Sequence, residues 1–198
     1  TYSAGPDFGS YQQYIRTEPG QFCDLGRLKL YKSINISGMI VDAAGKPAAC
    51  NAFFSPEDRS GFPAPLDLGF GMSTKEDGKF QFKASVGKHL IIITPREGDA
   101  AASTTVVDAR AGDVENIQIV LRRGTLVTFN YQISENEIYL VKITDSTGAP
   151  IAANYHCPRN LNLAPGAYKI TLYKSDAAAR EIPFEVGTDP IFIEVGLK

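Results

Sequence analysis

Residues 27–47 have the sequence RLKLYKSINISGMIVDAAGKP, and this stretch decides the fold class. Apolar residues alternate with polar ones up to Val41, which is the period of a half-buried β-strand. Asp42, Gly45 and Pro47 then form a turn signal, because Asp hydrogen-bonds its own backbone, Gly accepts positive φ and Pro blocks further pairing. The stretch therefore predicts a strand that ends in a tight turn and is followed by a second strand.

Short apolar runs separated by turn residues continue to the C-terminus. No long amphipathic helical pattern interrupts them, so the chain is predicted to be all-β. In the first half, strands are expected over 28–41, 48–54, 86–94, 103–109 and 114–121 and around Phe80 and Phe82. In the second half, five strands are expected, over 125–133, 136–145, 161–175, 180–186 and 190–197.

A weak internal repeat relates the two halves. The matched segments are 40–47 with 143–150, 85–93 with 164–172, and 116–121 with 190–195. The first match is a strand followed by Asp-x-x-Gly-x-Pro, and the second is a Gly that leads into an apolar strand. Two similar β-sandwiches in tandem, the second abridged, are the simplest account.

Composition excludes several kinds of partner. The 198 residues carry 20 Lys and Arg against 22 Asp and Glu, and the formal net charge is −2. A nucleic-acid partner requires clustered basic side chains that neutralise phosphates, so none is expected. No stretch approaches the roughly 18 consecutive apolar residues of a membrane span. The N-terminal segment lacks an initiator Met and a signal sequence, which fits an exported chain whose signal has been removed or an excised piece.

Chemically reactive residues are scarce. The histidines are His89, in an apolar run, and His156, in a polar segment, and neither belongs to a nucleophile, phosphate or metal motif. We therefore predict no catalytic, cofactor-binding or metal-binding residues, and no enzyme activity. A disulfide between Cys23, before the first strand, and Cys50, at the second, is geometrically reasonable, while Cys157 is left over. The alternative is three ordinary thiols.

Residues 55–72, SPEDRSGFPAPLDLGFGM, are predicted to form a long loop because they are rich in Pro and Gly. Long ordered loops on a rigid scaffold often carry recognition residues. Arg59, Phe62 and Phe70 are the candidate ligand or partner residues of this loop. Together with the Tyr-rich N-terminal segment, the loop is the expected contact surface.

The first unit resembles a carboxypeptidase regulatory-like domain, a small transthyretin-like β-sandwich, over about residues 33–121. The likeness is carried by residues 36–47, ISGMIVDAAGKP, by residues 73–82, STKEDGKFQF, and by Gly87 with the strand behind it. His89 stands where Tyr is common in that family. The second unit is only weakly similar.

This resemblance implies two tandem Greek-key, transthyretin-like (Ig-like) β-sandwich domains and an accessory module that catalyses no reaction. The expected units are an N-terminal extension, 1–26, packed on the first domain, a regulatory-like domain, 27–122, and a second, smaller sandwich, 124–198. The function expected is binding, adhesion or spacing at the cell envelope, in a secreted, periplasmic or cell-surface location. A protein or glycan partner is expected, with no cofactor.

Three alternatives stay open. A carbohydrate-binding accessory module would use Phe62, Phe70 and the N-terminal tyrosines, although Trp is absent. An intradiol-dioxygenase-like enzyme would need two Tyr and two His on ferric iron, and the two histidines here fall in separate units. An adhesin domain with a Lys–Asn isopeptide cross-link would join Lys29 or Lys32 to Asn116.

Overall fold

The computed structural model describes residues 20, 22, 33–57, 70–132, 140–154, 158–174 and 177–196. These residues form fourteen β-strands and no helix, which confirms the predicted all-β class. The strands are β1 Ile34–Val41, β2 Cys50–Pro56, β3 Phe70–Ser73, β4 Lys79–Ala84, β5 Lys88–Pro95, β6 Ser103–Asp108, β7 Val114–Val120, β8 Thr125–Gln132, β9 Leu140–Asp145, β10 Pro150–Asn154, β11 Asn160–Leu163, β12 Gly166–Lys174, β13 Ala177–Val186 and β14 Ile191–Gly196.

The strands build two β-sandwiches with one topology. The first sandwich packs a sheet of order β4-β1-β7 against a sheet of order β3-β2-β5-β6. The second packs β11-β8-β14 against β10-β9-β12-β13. Counted from the first strand of each sandwich, both have the orders 4-1-7 and 3-2-5-6. The predicted pair of tandem β-sandwiches is confirmed, and the second has as many strands as the first.

Two expectations about the strands are wrong in detail. The described part of the second half holds seven strands where five were expected, because β10 is a separate Ala-containing strand and because residues 161–175 divide into β11 and β12. Pro165 lies at this division, where it cannot donate to a sheet ladder. The predicted 55–72 loop is also too long, since β2 runs to Pro56 and β3 begins at Phe70. The expected strand positions 28–32 lie outside the described residues.

Each sandwich has its own hydrophobic core. In β1, alternation turns Ile34, Ile36 and Ile40 inward, where they are almost completely buried. In the second core, Ile143 and Ile170 are fully buried in the same way. Burying an Ile side chain stabilises the fold by roughly 1.5–3 kcal/mol relative to its exposed state. The cores therefore account for the apolar alternation from which the sheets were predicted.

The pairing of β1 with β7 contains a bulge in β7, at Asn116, next to the pairing of Gly38 with Ile117. The register shifts between Ile36 and Gly38, and Asn116 of β7 has a φ of 60°. A Cβ on Gly38 would lie 2.1 Å from the carbonyl oxygen of Ile117. Only glycine allows this close approach of two backbones.

Only two of the three segment pairs matched in the sequence lie on topologically equivalent strands. Asp42 and Asp145 form the same turn, in which one carboxylate oxygen accepts from two backbone N–H groups at 2.9–3.0 Å. However, the Asp42 turn follows β1, whereas the Asp145 turn connects β9 and β10, the second and third strands of their sandwich. The proposed equivalence of 40–47 with 143–150 is therefore wrong. The other two matches fall on equivalent strands, β5 with β12 and β7 with β14.

The two sandwiches meet at a hydrogen-bonded joint formed by residues 98–102 and 122–124. Gly124 N donates to Asp99 O at 2.7 Å, and Ala101 N donates to Arg122 O at 2.7 Å. Asn162 of the second sandwich accepts from Ala102 N at 2.8 Å through its carbonyl. The Asn162 side chain also donates to Gly98 O at 2.9 Å. The link is thus paired on both sides, which restricts the relative orientation of the sandwiches.

Candidate functional site

The distal end of the first sandwich lies opposite the joint and is the candidate site. The antiparallel and parallel registers bring seven strand termini to this end, namely the starts of β1, β3, β5 and β7 and the ends of β2, β4 and β6. The connections before β1 and between β2 and β3 both leave from here. The two segments expected to form the contact surface, the N-terminal segment and the predicted loop, therefore attach to the same end.

The connection between β2 and β3 is an expanded version of a tight turn. In the second sandwich the corresponding strands, β9 and β10, are joined by residues 146–149 alone. In the first sandwich, residues 57–69 occupy the same topological position. Because the second sandwich folds with the short turn, the scaffold does not require the long connection. A long segment that folding does not require is a candidate for recognition.

The three predicted loop residues have different outcomes. Arg59 and Phe62 lie outside the described residues, so their role as ligand or partner residues stays a prediction. The predicted loop position of Phe70 is wrong, since Phe70 is the first residue of β3 and pairs with Phe54, while its role as a ligand or partner residue stays a prediction. The Gly and Pro residues around it hid this short strand in the sequence.

Two ion pairs surround the base of this connection. Glu57 N donates to Lys88 O at 2.9 Å, and the Lys88 ammonium lies 3.5 Å from the Glu57 carboxylate. The Arg110 guanidinium donates to both carboxylate oxygens of Asp108, through Nε at 2.9 and 3.1 Å and through Nη2 at 2.5 Å. The Arg110 hydrogen bonds lower the pKa of Asp108 to about 2. These four residues are not among the candidates predicted from the sequence, although their charges flank predicted strand ends.

His89 has a structural position at the rim of this end. Its ring is buried, its Nε2 lies 2.8 Å from the Ser85 carbonyl oxygen, and its edge faces Phe82. Since a carbonyl only accepts, Nε2 carries the proton. In the second sandwich Tyr168 donates its hydroxyl to Ala164 O at 2.7 Å, which is the same four-residue spacing.

The residues before these two side chains also correspond. Gly87 directly precedes β5 and Gly166 begins β12, each two residues before His89 or Tyr168, and their φ values are 152° and 153°. His89 therefore does what a tyrosine does at the equivalent corner. Burial, with the Asp145 charge adding to it, raises the pKa of Tyr168.

Cys50 lies at the start of β2, where it is buried and forms no disulfide with another described residue. Burial raises its pKa to about 11, and the positive charge of Arg96 opposes this rise. Cys50 N donates to Thr74 Oγ1 at 2.8 Å, so the strand end is fixed by hydrogen bonding. Its predicted disulfide partner, Cys23, lies outside the described residues, and the pairing stays a prediction.

The described ranges contain neither a cluster of metal ligands nor a membrane-spanning helix. No three His, Cys, Asp or Glu side chains there lie close enough to hold a metal ion together. None of the secondary structure described is a helix with the length and hydrophobicity needed to cross a membrane. His156 and the lysines of the isopeptide alternative are outside these ranges.

Asn116, the other residue of the isopeptide alternative, is exposed on β7. Its side chain is therefore open to solvent, in contrast to the buried residues that face the core.

No protein-family model matches the sequence, and no curated protein sequence matches it. Solved structures are similar at low identity. The Bacillus anthracis TIE protein is 16 % identical with a TM-score of 0.37, and the match covers 86 % of this chain and 35 % of that one. A streptococcal ancillary pilin is 11 % identical with a TM-score of 0.32, over 85 % and 65 % of the two chains.

The 3-chlorocatechol 1,2-dioxygenase of Rhodococcus opacus 1CP is 13 % identical with a TM-score of 0.36, over 47 % of this chain and 60 % of the enzyme. The chain thus spans about a third of the length of the TIE protein and less than two thirds of the other two. At these identities the likeness concerns the fold alone.

Proposed function

We propose that this chain is a non-catalytic binding and spacing module of an exported protein at the cell envelope, and that it recognises a protein or glycan partner with the distal end of its first sandwich. The observation that carries the proposal is the expansion of one connection. Residues 57–69 stand where the second sandwich has only residues 146–149. The expanded connection leaves from the end at which the N-terminal segment also enters.

The hydrogen-bonded joint supports the spacing part of the proposal. Because residues 122–124 pair with residues 98–102, the second sandwich holds the first in a fixed direction. A fixed spacer keeps a binding end away from the surface to which the rest of a protein is attached. The joint and the distal end thus have complementary roles in this proposal.

The carboxypeptidase regulatory-like assignment belongs to the same proposal. Its motif residues have scaffold roles, as Gly78 shows with a φ of 67° and Phe80 with a nearly fully buried ring. A Cβ on Gly78 would lie 2.3 Å from the Ile40 carbonyl oxygen, so the turn requires glycine. We further propose units 27–122 and 124–198, with residues 1–26 packed on the first unit.

The absence of catalysis is also proposed, and the position of His89 supports it. A catalytic or iron-binding histidine needs a ring nitrogen that can reach substrate or metal. His89 is buried, its Nε2 is used by Ser85 O, and Phe82 packs against its ring. Elemental analysis of the purified protein for iron tests the dioxygenase-like alternative directly, and stoichiometric iron would support that alternative against the proposal.

Shortening the expanded connection tests the proposed binding end. In the test variant, residues 56–68 are replaced by Asp-Ser-Thr-Gly-Ala, the turn of residues 145–149. The change retains the register in which Phe54 pairs with Phe70. Native and shortened chains are applied to an array of glycans and immobilised extracellular glycoproteins. We expect the shortened chain to fold and to lose the binding that the native chain shows.

A second variant guards against a folding defect. Arg59→Ala with Phe62→Ala changes side chains only, and circular dichroism establishes that each variant is folded. Loss of binding in both variants supports the proposal. Binding that survives in both and disappears in Phe192→Ala, whose side chain is 78 % exposed on β14, would move the site to the second sandwich and overturn it.

A further inference from the structure

The first and last strands of each sandwich are direct neighbours and run parallel. In the first sandwich β1 pairs with β7 from Ile36 and Val114 to Val41 and Val120. In the second, β8 pairs with β14 over the whole of β14. Two parallel neighbouring strands cannot be joined by a tight turn, because they need a long crossover connection between them. Here the rest of the sandwich serves as the crossover, twice.

This arrangement determines how the sandwich responds to tension on its two ends. The chain enters at the start of the first strand and leaves at the end of the last strand. Since the two strands run in the same direction, these points are at opposite ends of the ladder. Tension on the chain therefore slides the strands past one another, and all the hydrogen bonds of the ladder share the load. When strands are peeled from one end, their bonds break one at a time.

The joint continues the same path. The link leaves β7 at Val120 and enters β8 at Thr125, and within it Arg122 and Gly124 hydrogen-bond to Ala101 and Asp99. The Arg123 guanidinium also contacts the Asp99 carboxylate at 2.6 Å. A pull along the chain is thus passed from one ladder to the other through a paired segment.

We infer that this chain is a force-bearing tether, in which the β1–β7 and β8–β14 ladders act as two mechanical clamps in series. This goes beyond the proposed binding function and holds whatever the distal end binds. The proposed binding function and the tether role are therefore tested by separate experiments.

The two clamps differ in continuity. The β8–β14 ladder has no register shift from Ile191 to Gly196. The β1–β7 ladder is interrupted between Ile36 and Gly38 by the bulge at Asn116. The β8–β14 ladder has six successive residue pairs to share the load, whereas the β1–β7 ladder has five pairs divided by the bulge, so we expect the first sandwich to unfold at the lower force.

Single-molecule pulling on the whole chain in reducing buffer tests the inference. Handles are attached through a bio-orthogonal residue at Ser33 and at the C-terminus. An extended chain measures about 3.5 Å per residue, and the folded ladder already spans about 25 Å, which is subtracted. Unfolding should therefore lengthen the chain by roughly 280 Å for the first sandwich and by roughly 230 Å for the second. We expect the longer release to come first, at the lower force.

Changing the direction of the pull provides the matched control. With handles at Ser33 and Val86, which is exposed between β4 and β5, β1 is peeled from the end that pairs Ile34 with Ala84. At one pulling speed we expect the first sandwich to resist end-to-end tension at a force at least about twice the peeling force, since bonds that share a load fail together. Equal forces in the two directions, or the 230 Å release coming first, would overturn the inference.

Discussion

Substitutions of His89 test whether the two sandwiches share one corner design. Tyr168 fills the equivalent corner and donates to Ala164 O, as His89 does to Ser85 O. We therefore expect His89→Tyr to change the free energy of unfolding by less than about 1.5 kcal/mol, because an aromatic ring and a donor to the Ser85 carbonyl are both retained. His89→Phe keeps a ring but leaves the Ser85 carbonyl without its donor, so it should cost about 1–2 kcal/mol.

Urea denaturation followed by circular dichroism and tyrosine fluorescence measures these changes, since the chain has no Trp and nine Tyr. With a urea slope of about 2 kcal/mol per M, a loss of 1.5 kcal/mol moves the midpoint by about 0.7 M. Tyr168→Phe is the matched control, because its ring still stacks on Phe184 at 5.6 Å and only the hydroxyl is lost. A His89→Tyr variant less stable than His89→Phe would refute the equivalence of the corners.

Three further predictions concern other parts of the scaffold. Gly38→Ala should destabilise the first sandwich by about 2–4 kcal/mol, because its Cβ meets a backbone carbonyl at 2.1 Å, whereas Gly187→Ala, with open space around it, should be nearly neutral in thermal unfolding. Cys50 should react with iodoacetamide at pH 8 only after unfolding, since its raised pKa keeps it a thiol, and rapid native labelling seen by peptide mass would contradict this. Asp108 has a lowered pKa, so its pairing with Arg110 stabilises the fold above about pH 4, and this stabilisation is lost as the pH falls through about 2. The native and Asp108→Asn proteins should therefore converge in stability during acid titration. A difference in stability that persists at pH 1.5 would contradict this prediction.

The fold class could be predicted because it depends on local patterns. Alternation in residues 34–41 and the Asp-x-x-Gly-x-Pro turns indicate strands and tight turns without any long-range information. The match between Gly87 and Gly166 also located equivalent corners, because both glycines stand at the same backbone conformation. These features are fixed by neighbours in sequence.

Pairing partners could not be predicted in the same way. The Asp42 and Asp145 turns have the same hydrogen bonds but connect different strand pairs, so turn chemistry alone misled the comparison of the halves. Phe70 was expected in a loop because its surroundings are Gly-rich, yet pairing with Phe54 makes it a strand residue. Strand pairing is decided by tertiary contacts, which the identity of a single residue does not indicate.

The candidate site was predictable as a region and not as a set of contacts. The Pro- and Gly-rich composition of 55–72 indicated a long connection, and the structure shows that this connection stands where the second sandwich has a tight turn. The ion pairs of Glu57 with Lys88 and of Asp108 with Arg110 depend on the convergence of separate strand ends, of which the sequence gives no sign. The N-terminal segment enters at the same end because β1 starts there.

Hydrogen–deuterium exchange of the native chain with the tightest-binding glycan or glycoprotein from the array tests the central proposal most directly. Binding at the distal end should slow exchange of the Glu57 and Ala109 amides, which lie beside the expanded connection, and leave the Ala101 and Gly124 amides of the joint unchanged. Slowed exchange at the joint or across the second sandwich, with the distal amides unaffected, would contradict the account.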